Sequence, residues 1–174
     1  MAPSNRLQRL SAVGGALLLA AAASSCSTDK NSKTTPIKFV IEADELVNPN
    51  AHGKPSPVVV RIYELKSTTS FTQAQFFELF DDDAKRLGPD LVAKRELELT
   101  PGRRVEIERN TPIETRNVGV IAGFRSGNDA QWRATAEIKP DRDNRISVKL
   151  TAQAVSIEEE VSLNWWKNRL TGSW

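Results

Sequence analysis

Cys26 is the residue in this chain with the most distinctive chemistry, because it is the only cysteine among 174 residues. A lone thiol cannot form an internal disulfide, and a catalytic thiolate needs a base positioned by the fold. Cys26 directly follows Ser24 and Ser25, where a short apolar run has just ended. This placement predicts a lipid attachment site, so the thiol bears on location rather than on redox chemistry.

The first 25 residues have the layout of a secretory signal. Arg6 and Arg9 form a basic start, and the 14 residues from Leu10 to Ala23 form an apolar stretch. A membrane-spanning helix needs about 20 apolar residues, so this stretch is too short for a permanent span. We expect residues 1–25 to be a lipoprotein signal peptide. Cleavage by an ordinary signal peptidase next to Cys26 is the alternative, because small-residue cleavage sites are common.

The segment from Ala23 to Cys26 resembles a bacterial lipobox. In a lipobox, small residues precede a cysteine that becomes the acylated first residue of the mature protein. Ser27 stands where an aspartate would resemble an inner-membrane retention signal. The resemblance therefore implies acyl chains, such as palmitate, inserted in the outer membrane with the protein facing the periplasm. Several acyl chains anchor a protein stably, whereas a single chain binds only marginally.

The other candidates for chemistry are few. His52 is the only histidine, which excludes a histidine-based metal cluster. It lies in a turn-rich segment, so we expect an exposed loop residue. Asp81, Asp82 and Asp83 would place Lys85 at a ligand position of a calcium-binding loop, so we expect a solvated acidic cluster at a helix start. The sequence lacks a Gly-x-Ser-x-Gly elbow and a phosphate-binding Walker motif. We therefore expect a binding or scaffolding protein, not an enzyme, with no cofactor, metal or small-molecule substrate.

The charge balance of the mature chain gives no electrostatic footprint for nucleic acid. Residues 1–25 hold two of the 24 basic residues and none of the 22 acidic ones, so the remainder carries 22 of each sign. The overall basic balance is thus a property of the signal. The 149 residues from 26 to 174 are enough for one domain with one core.

Hydrophobic periodicity predicts the elements that follow the signal. Residues 26–36 show no apolar period, which predicts a lipidated flexible tether. From residue 37 to 158 a two-residue period dominates, so we predict seven or eight short strands with antiparallel neighbours. Each half-polar strand buries one face, which favours a mainly β fold: a two-sheet antiparallel β-sandwich. Gly119 and Gly123 inside one strand pattern are expected to permit close packing or a bulge. The clearest predicted strands are 37–41, 58–65, 97–99, 104–108, 118–124, 132–138 and 146–150.

Two segments depart from the strand pattern. Between about residues 70 and 88, Phe76, Phe77 and Phe80 recur at helical spacing, which predicts a small helical insertion with an aromatic stripe packed onto one sheet. In the C-terminal tail, residues 159–174, we expect a frayed segment or one docked on the domain. An interfacial helix or a second partner contact is the alternative for this tail. Its apolar stripe at helical spacing comprises Leu163, Trp166, Leu170 and Trp174.

Several runs of the sequence, taken together, resemble one bacterial family. They are Asn48-Pro49, the run 54–65, the run 76–80, the run 99–102, the run 118–125 and Trp132-Arg133. In this order and with the lipobox, they are similar to the TssJ (SciN) family, the outer-membrane lipoproteins of the type VI secretion system. The similarity covers about residues 37–157 and implies a transthyretin-like sandwich with a small helical addition.

The same resemblance implies a partner. Members of this family hold the periplasmic C-terminal part of the inner-membrane protein TssM through a loop between the first two strands. Two prolines restrict the matching loop here, which lowers the ordering cost of binding. The lipid bilayer is the other expected partner. The matching loop comprises Asn48, Pro49, Asn50, Ala51, His52, Gly53, Lys54 and Pro55.

A surface lipoprotein with a ligand-binding or glycan-binding sandwich is the competing hypothesis. It would use exposed aromatic side chains such as Tyr63 or the terminal tryptophans. Neighbouring genes for a secretion sheath and a TssM-like protein would support the type VI function. Genes for polysaccharide utilisation would support the competitor.

Overall fold

Eight strands and two α-helices make up residues 33–161, the part of the chain that the computed structural model describes. Single turns of 3-10 helix at Gly88–Asp90 and Gly127–Asp129 complete the regular structure of this part. The helices are α1 (Thr69–Gln73) and α2 (Phe76–Leu87). The strands are β1 (Thr34–Ala43), β2 (Val58–Leu65), β3 (Leu91–Leu99), β4 (Arg104–Pro112), β5 (Asn117–Ala122), β6 (Arg133–Glu137), β7 (Asn144–Leu150) and β8 (Val155–Val161).

The strands form two four-stranded sheets with the core between them. Sheet A has the order β4-β1-β7-β8, and sheet B has the order β3-β2-β5-β6. Strand β1 shows the predicted alternation, since Phe39 and Ile41 are buried while Lys38 and Glu42 lie on the outer face. The predicted mainly β sandwich with a helical insertion is confirmed. Its core includes Phe39, Ile41, Val60, Ile62, Val118, Val120, Ile146 and Val148.

One strand pair departs from the predicted antiparallel arrangement. β1 and β7 are parallel, with Ile37 opposite Asn144 and Ala43 opposite Leu150. Parallel neighbours need a long crossover connection. All of sheet B lies between these two strands in the chain and supplies that connection. Local periodicity identifies a strand without identifying its neighbour, so the sequence alone did not reveal this pair.

The sandwich extends three residues beyond each expected boundary. β1 begins at Thr34 rather than at residue 37, with Thr34 opposite Pro112 of β4. β8 was not among the clearest predicted strands and ends at Val161 rather than at 158. Its Val155 and Ile157 alternate with polar residues, but consecutive glutamates conceal the pattern towards the end. The expected signal peptide, Cys26 and the tail beyond 161 lie outside the described residues.

The helical insertion covers the outer face of sheet B. Phe71 of α1 and Leu79 and Leu87 of α2 are buried there in a second apolar cluster with Tyr63 of β2 and Ile121 of β5. α2 ends at Leu87, as the Gly88-Pro89 pair predicts, with Gly88 at φ 50°. Among residues 33–161, no helix has the length and apolarity required to cross a bilayer.

The predicted aromatic stripe of the insertion is confirmed only in part. The rings of Phe76 and Phe80 stack with their centroids 5.1 Å apart, and Phe76 meets Trp132 edge-on at 5.3 Å. Phe77 points away from the sheet and is 70% exposed. The reason is helical geometry, since Phe76 and Phe80 are four residues apart and share a face that Phe77 does not.

Gly119 provides the close packing that its place in a strand predicts. A Cβ atom at this position would lie 2.7 Å from Cζ of Phe71, closer than two carbon atoms can approach. The ring of Phe71 therefore sits directly on the backbone of β5. Gly123 is different, because a Cβ there would meet the Phe80 ring at an ordinary 3.6 Å.

Asp83 contradicts the expected solvated acidic cluster. Its carboxylate is 7% exposed and accepts hydrogen bonds from Lys94 Nζ at 2.7 Å and from the Tyr63 hydroxyl at 3.1 Å. The helix is interrupted at Asp82, where φ is −144° and ψ is 51°. This kink turns Asp83 towards sheet B while Asp81 and Asp82 stay exposed. Sequence periodicity did not reveal the kink, so it did not reveal the buried carboxylate.

Candidate functional site

The predicted partner loop lies in the connection between β1 and β2, at one end of the sandwich. The β3–β4 turn and the β5–β6 and β7–β8 connections meet it there. Asp44 joins several of these segments: its N–H donates to the Leu150 carbonyl at 2.8 Å, and its carbonyl accepts from the Gly102 N–H at 3.3 Å. The start of β1, towards the predicted tether, lies at the opposite end of sheet A. We call these the loop end and the tether end.

Asn48 anchors the loop from inside. Its φ is 50°, a left-handed conformation that asparagine tolerates better than most residues. The side-chain Nδ2 donates to the Pro57 carbonyl at 2.6 Å, and Oδ1 accepts from the Arg125 N–H at 2.8 Å. The backbone N–H of Asn48 donates to the Ala152 carbonyl at 3.1 Å. Because Asn48 is only 3% exposed, it positions the loop and presents no surface to a partner.

The tip of the loop is a turn closed on Asn50. The Asn50 N–H donates to the Lys54 carbonyl at 2.9 Å, and the Gly53 N–H donates to the Asn50 carbonyl at 2.8 Å. The Asn50 side-chain oxygen accepts from the N–H groups of His52 at 2.9 Å and Lys54 at 3.1 Å. Gly53 has φ 73°, which glycine adopts without strain. The tip is therefore shaped by its own backbone before any partner binds.

Four of the eight predicted loop residues are exposed. His52 and Lys54 project at the tip, as predicted for the histidine. Within residues 33–161, no hydrogen bond or ion pair engages either of these side chains. They are consequently available to a partner. The exposed members are Ala51, His52, Gly53 and Lys54, and the half-buried ones are Pro49, Asn50 and Pro55.

Leu46 lies two residues before the predicted loop, is exposed, and was missed by the sequence reasoning. Its side chain is 64% exposed, whereas the next residue, Val47, is fully buried. The Leu46 N–H donates to the Asp44 carboxylate at 2.9 Å, which turns the chain outward. A leucine just beyond a strand is normally expected in the core. The exposure of Leu46 follows from the turn that begins at Asp44, which is seen only in the structure.

Tyr63 does not provide the exposed ring required by the glycan-binding hypothesis. It lies fully buried under the helical insertion, and its hydroxyl donates to Asp83. Burial raises the pKa of the Tyr63 phenol well above its usual value of 10.0, and the nearby Asp83 carboxylate raises it further. The terminal tryptophans named in the same hypothesis lie outside the described residues.

The other charged clusters of the described residues stabilise the sheets. On β2, Glu64 is buried, accepts a hydrogen bond from Thr111 and pairs with Arg109 at 3.0 Å, which links the two sheets. On the outer face of sheet A, hydrogen bonds from Arg104 and Lys38 lower the pKa of Glu106 from 4.5 to about 2. Residues 33–161 contain no group of three or more His, Cys, Asp or Glu side chains able to hold a metal ion.

Comparison with known proteins identifies one family whose members are similar to this chain over both sheets and the loop. The model of type VI secretion lipoproteins (T6SS-SciN; VasD, EvfM, TssJ) matches residues 35–153. The solved type VI lipoprotein TssJ1 from Pseudomonas aeruginosa is 34% identical, with a TM-score of 0.71 over 74% of this chain and 98% of that chain. No curated protein sequence matches this chain significantly.

Two further solved structures contain similar chains. A chain in the structure of a type VI membrane complex is 27% identical, with a TM-score of 0.63 over 72% of this chain and 99% of that one. A chain in the structure of the C-terminal domain of the type VI protein TssM from EAEC is 26% identical, with a TM-score of 0.59 over 71% and 97%.

The family match runs from β1 to the β7–β8 connection and thus includes both sheets, the helical insertion and the loop. A match of this extent identifies a structural lipoprotein rather than an enzyme. The chain therefore belongs to the type VI secretion lipoprotein family.

Proposed function

We propose that this lipoprotein is anchored in the outer membrane through acyl chains on Cys26 and faces the periplasm. Through the loop from Asn48 to Pro55, it binds the periplasmic C-terminal part of a TssM-like inner-membrane protein. The observation that carries this proposal is the position of the loop at the end of the sandwich opposite the start of β1. The ten residues of β1 separate the two ends by about 33 Å. A partner at the loop is thereby held away from the lipid.

The geometry of the loop suits a protein partner. Its tip is held by internal hydrogen bonds, and the buried Asn48 amide fixes its base. A preformed loop loses little conformational entropy on binding. The exposed side chains provide an apolar contact at Leu46 and polar contacts at His52 and Lys54. This mixture is typical of protein interfaces, in which an apolar centre is surrounded by a polar rim.

The comparisons support TssM as the class of partner. Similar chains occur in the solved structures of a type VI membrane complex and of a TssM C-terminal domain. The proposed organisation is a signal peptide at residues 1–25, a lipidated tether from Cys26, the sandwich, and a C-terminal tail. The tether and the loop at opposite ends make the protein an adaptor between the two membranes.

The anchor is tested by labelling cells with an alkyne analogue of palmitate. The wild-type chain is expected to incorporate the label, and Cys26→Ser is expected to lose it, because the lipid is attached through the cysteine sulfur. Ser27→Ala is the matched control and should retain the label. A Cys26→Ser protein that still carries the label would contradict the anchor.

The loop is tested by pull-down of the full chain with the periplasmic part of a TssM-like protein from the same bacterium. Replacement of residues 50–54 by a glycine-serine linker is expected to abolish binding, because it removes both the shaped turn and its side chains. The control replaces residues 141–143, which lie at the tether end, with the same kind of linker. Equal binding by the two variants would exclude the loop as the interface.

A further inference from the structure

The partner loop and the tether are joined to opposite ends of one strand. β1 begins at Thr34 at the tether end and finishes at Ala43, and the loop starts five residues later at Asn48. The strand is central in sheet A, antiparallel to β4 on one side and parallel to β7 on the other. A β-strand rises about 3.3 Å per residue, and a fully extended chain at most about 3.6 Å. The ten residues of β1 can therefore lengthen by only about 3 Å.

The connection from β1 to the loop is bent, but hydrogen bonds fix it to the sandwich at both of its ends. At its start, the Asp44 N–H donates to the Leu150 carbonyl at 2.8 Å. At its end, the Asn48 N–H donates to the Ala152 carbonyl at 3.1 Å, and the Asn48 side-chain oxygen accepts from the Arg125 N–H at 2.8 Å. A pull on the loop is thus transmitted to β1 through residues that the sandwich holds in place.

We infer that β1 carries the tension between the lipid anchor and the partner along its own backbone, and that the sandwich stays folded under this load. The inference rests on the proposed anchor at Cys26 and on the proposed partner loop. A pull between them acts on the two ends of β1, so the other seven described strands lie outside the covalent path. Tension favours an unfolded state by the product of the force and the length gained. Removal of β1 from the sheet gains only about 3 Å, so tension promotes it weakly.

A different point of attachment at the same end of the sandwich would have the opposite effect. Residue 142 lies at the tether end, two residues before Asn144, which is opposite Ile37. The path from there to the loop tip would contain five strands and both helices. Unfolding of its 91 residues, 52–142, would release about 300 Å. The path through β1 to the tip contains 18 residues, 34–51, and can release at most about 30 Å.

Optical tweezers test the inference on the full chain carrying Cys26→Ser, so that introduced cysteines alone hold the handles. The test pair is Lys33→Cys with Ala51→Cys, and the matched control is Ala51→Cys with Arg142→Cys; all three positions are exposed. Both pairs pull the tether end away from the loop end. We expect the control to unfold in steps of about 300 Å. At the same forces, the test pair should show no step or a step of at most about 30 Å from opening of the loop connection.

Recovery after the force is lowered shows whether β1 has left the sheet. Any step in the test pair should recover at least about tenfold faster than the control refolds, because closing a short loop is faster than refolding an all-β sandwich. Recovery as slow as that of the control would show that the sandwich had unfolded and would overturn the inference. In the test pair, Asn48→Ala should lower the force of the short step, because the loop connection loses its anchor. An unchanged force would assign the step to β1 and would also overturn the inference.

This measurement is independent of the proposed function, because it uses neither lipid nor partner. Unfolding of the test pair would leave the anchor and the loop standing, since acyl labelling and pull-down test those. Absence of the acyl label or of loop-dependent binding would overturn the proposed function and leave the measured mechanics of β1 unchanged.

Discussion

The shape of the loop depends most on a single buried amide, that of Asn48. Replacement by alanine leaves the Pro57 carbonyl and the Arg125 N–H without their hydrogen-bond partner. Alanine also lacks the side-chain hydrogen bonds that help asparagine to adopt the left-handed φ of 50°. We expect Asn48→Ala to lower the free energy of unfolding by about 2–4 kcal/mol. Urea denaturation measures this change. We also expect weaker binding of the TssM-like partner, because the loop loses its fixed base.

Asn50 provides the matched control for Asn48. Its side chain also makes two hydrogen bonds, but it accepts both from N–H groups at the exposed tip, where water replaces the lost acceptor. Asn50→Ala should therefore cost about 1 kcal/mol or less. If both substitutions destabilise the protein equally, burial of the Asn48 amide is not what holds the loop.

The ionisation of Tyr63 can be measured directly, because it is the only tyrosine in the chain. Its folded-state pKa is raised by burial and by Asp83. The neutral phenol therefore stabilises the fold fully below its unfolded-state pKa near 10, and this contribution is lost as the pH rises towards the folded-state pKa. The tyrosinate absorbance should stay absent through pH 10 in native protein and appear at that pH once urea unfolds the chain.

Tyr63→Phe checks the assignment of this alkaline effect. The wild-type free energy of unfolding should fall above pH 10 more steeply than that of Tyr63→Phe, which has no phenol to ionise. Other groups that titrate in this range affect both proteins alike. A native Tyr63 that titrates near pH 10 would contradict the burial of its hydroxyl.

At the scale of elements, the contact between α1 and β5 holds the helical insertion on the sheet. Gly119→Ala forces a methyl group against the Phe71 ring, where the two carbons would lie 2.7 Å apart. We expect a loss of about 1–3 kcal/mol in the free energy of unfolding. Hydrogen exchange should locate part of this loss in α1 and α2, because the displaced ring belongs to the insertion.

Two further variants make the interpretation specific. Gly123→Ala adds the same methyl group where the nearest ring atom is 3.6 Å away, so it should change stability little. Phe71→Leu combined with Gly119→Ala should cost less than the two single changes added together, because the smaller side chain relieves the clash. If the two losses of stability simply add, Gly119 is required for a reason other than its contact with the Phe71 ring.

The elements also show what sequence patterns can and cannot predict. Alternation identified β2 and β7 because each has one face in the core. It misjudged Tyr63, since the insertion covers an outer face that a two-residue period assigns to solvent. The burial of Asp83 was missed because helical periodicity does not reveal the kink at Asp82. The parallel β1–β7 pair was missed because pairing between distant strands leaves no local pattern. Long-range packing, rather than propensity, decided each of these features.

The candidate site was predictable to a similar extent. Prolines, asparagines and a glycine marked residues 48–55 as a turn-rich loop, and the family resemblance attached a partner to it. The inward role of Asn48 and the outward turn of Leu46 depend on contacts with Arg125 and Asp44. Asp44 lies only two residues before Leu46, but Arg125 is 77 residues from Asn48 along the chain. Local sequence patterns identify such a loop but do not predict which of its residues face the partner.

For the whole molecule, the proposed function depends on the distance between the lipid on Cys26 and the loop. Chain length limits the contribution of the tether to at most about 28 Å, and β1 spans about 33 Å of the sandwich. Deletion of residues 28–32 shortens the tether by about 17 Å while leaving every described residue in place. We expect type VI secretion to fall strongly in cells, because the loop no longer reaches the periplasmic part of its partner.

Binding measured without the membrane separates reach from recognition. The shortened chain in detergent should bind the TssM-like periplasmic part as tightly as the wild type does, because the loop and its anchoring residues are unchanged. Replacement of residues 28–32 by five glycine and serine residues is the matched control and should restore secretion, since reach depends on tether length rather than on side chains. If the shortened protein supports full secretion, the separation of the two ends is not what the assembly uses, and the loop must meet its partner close to the outer membrane.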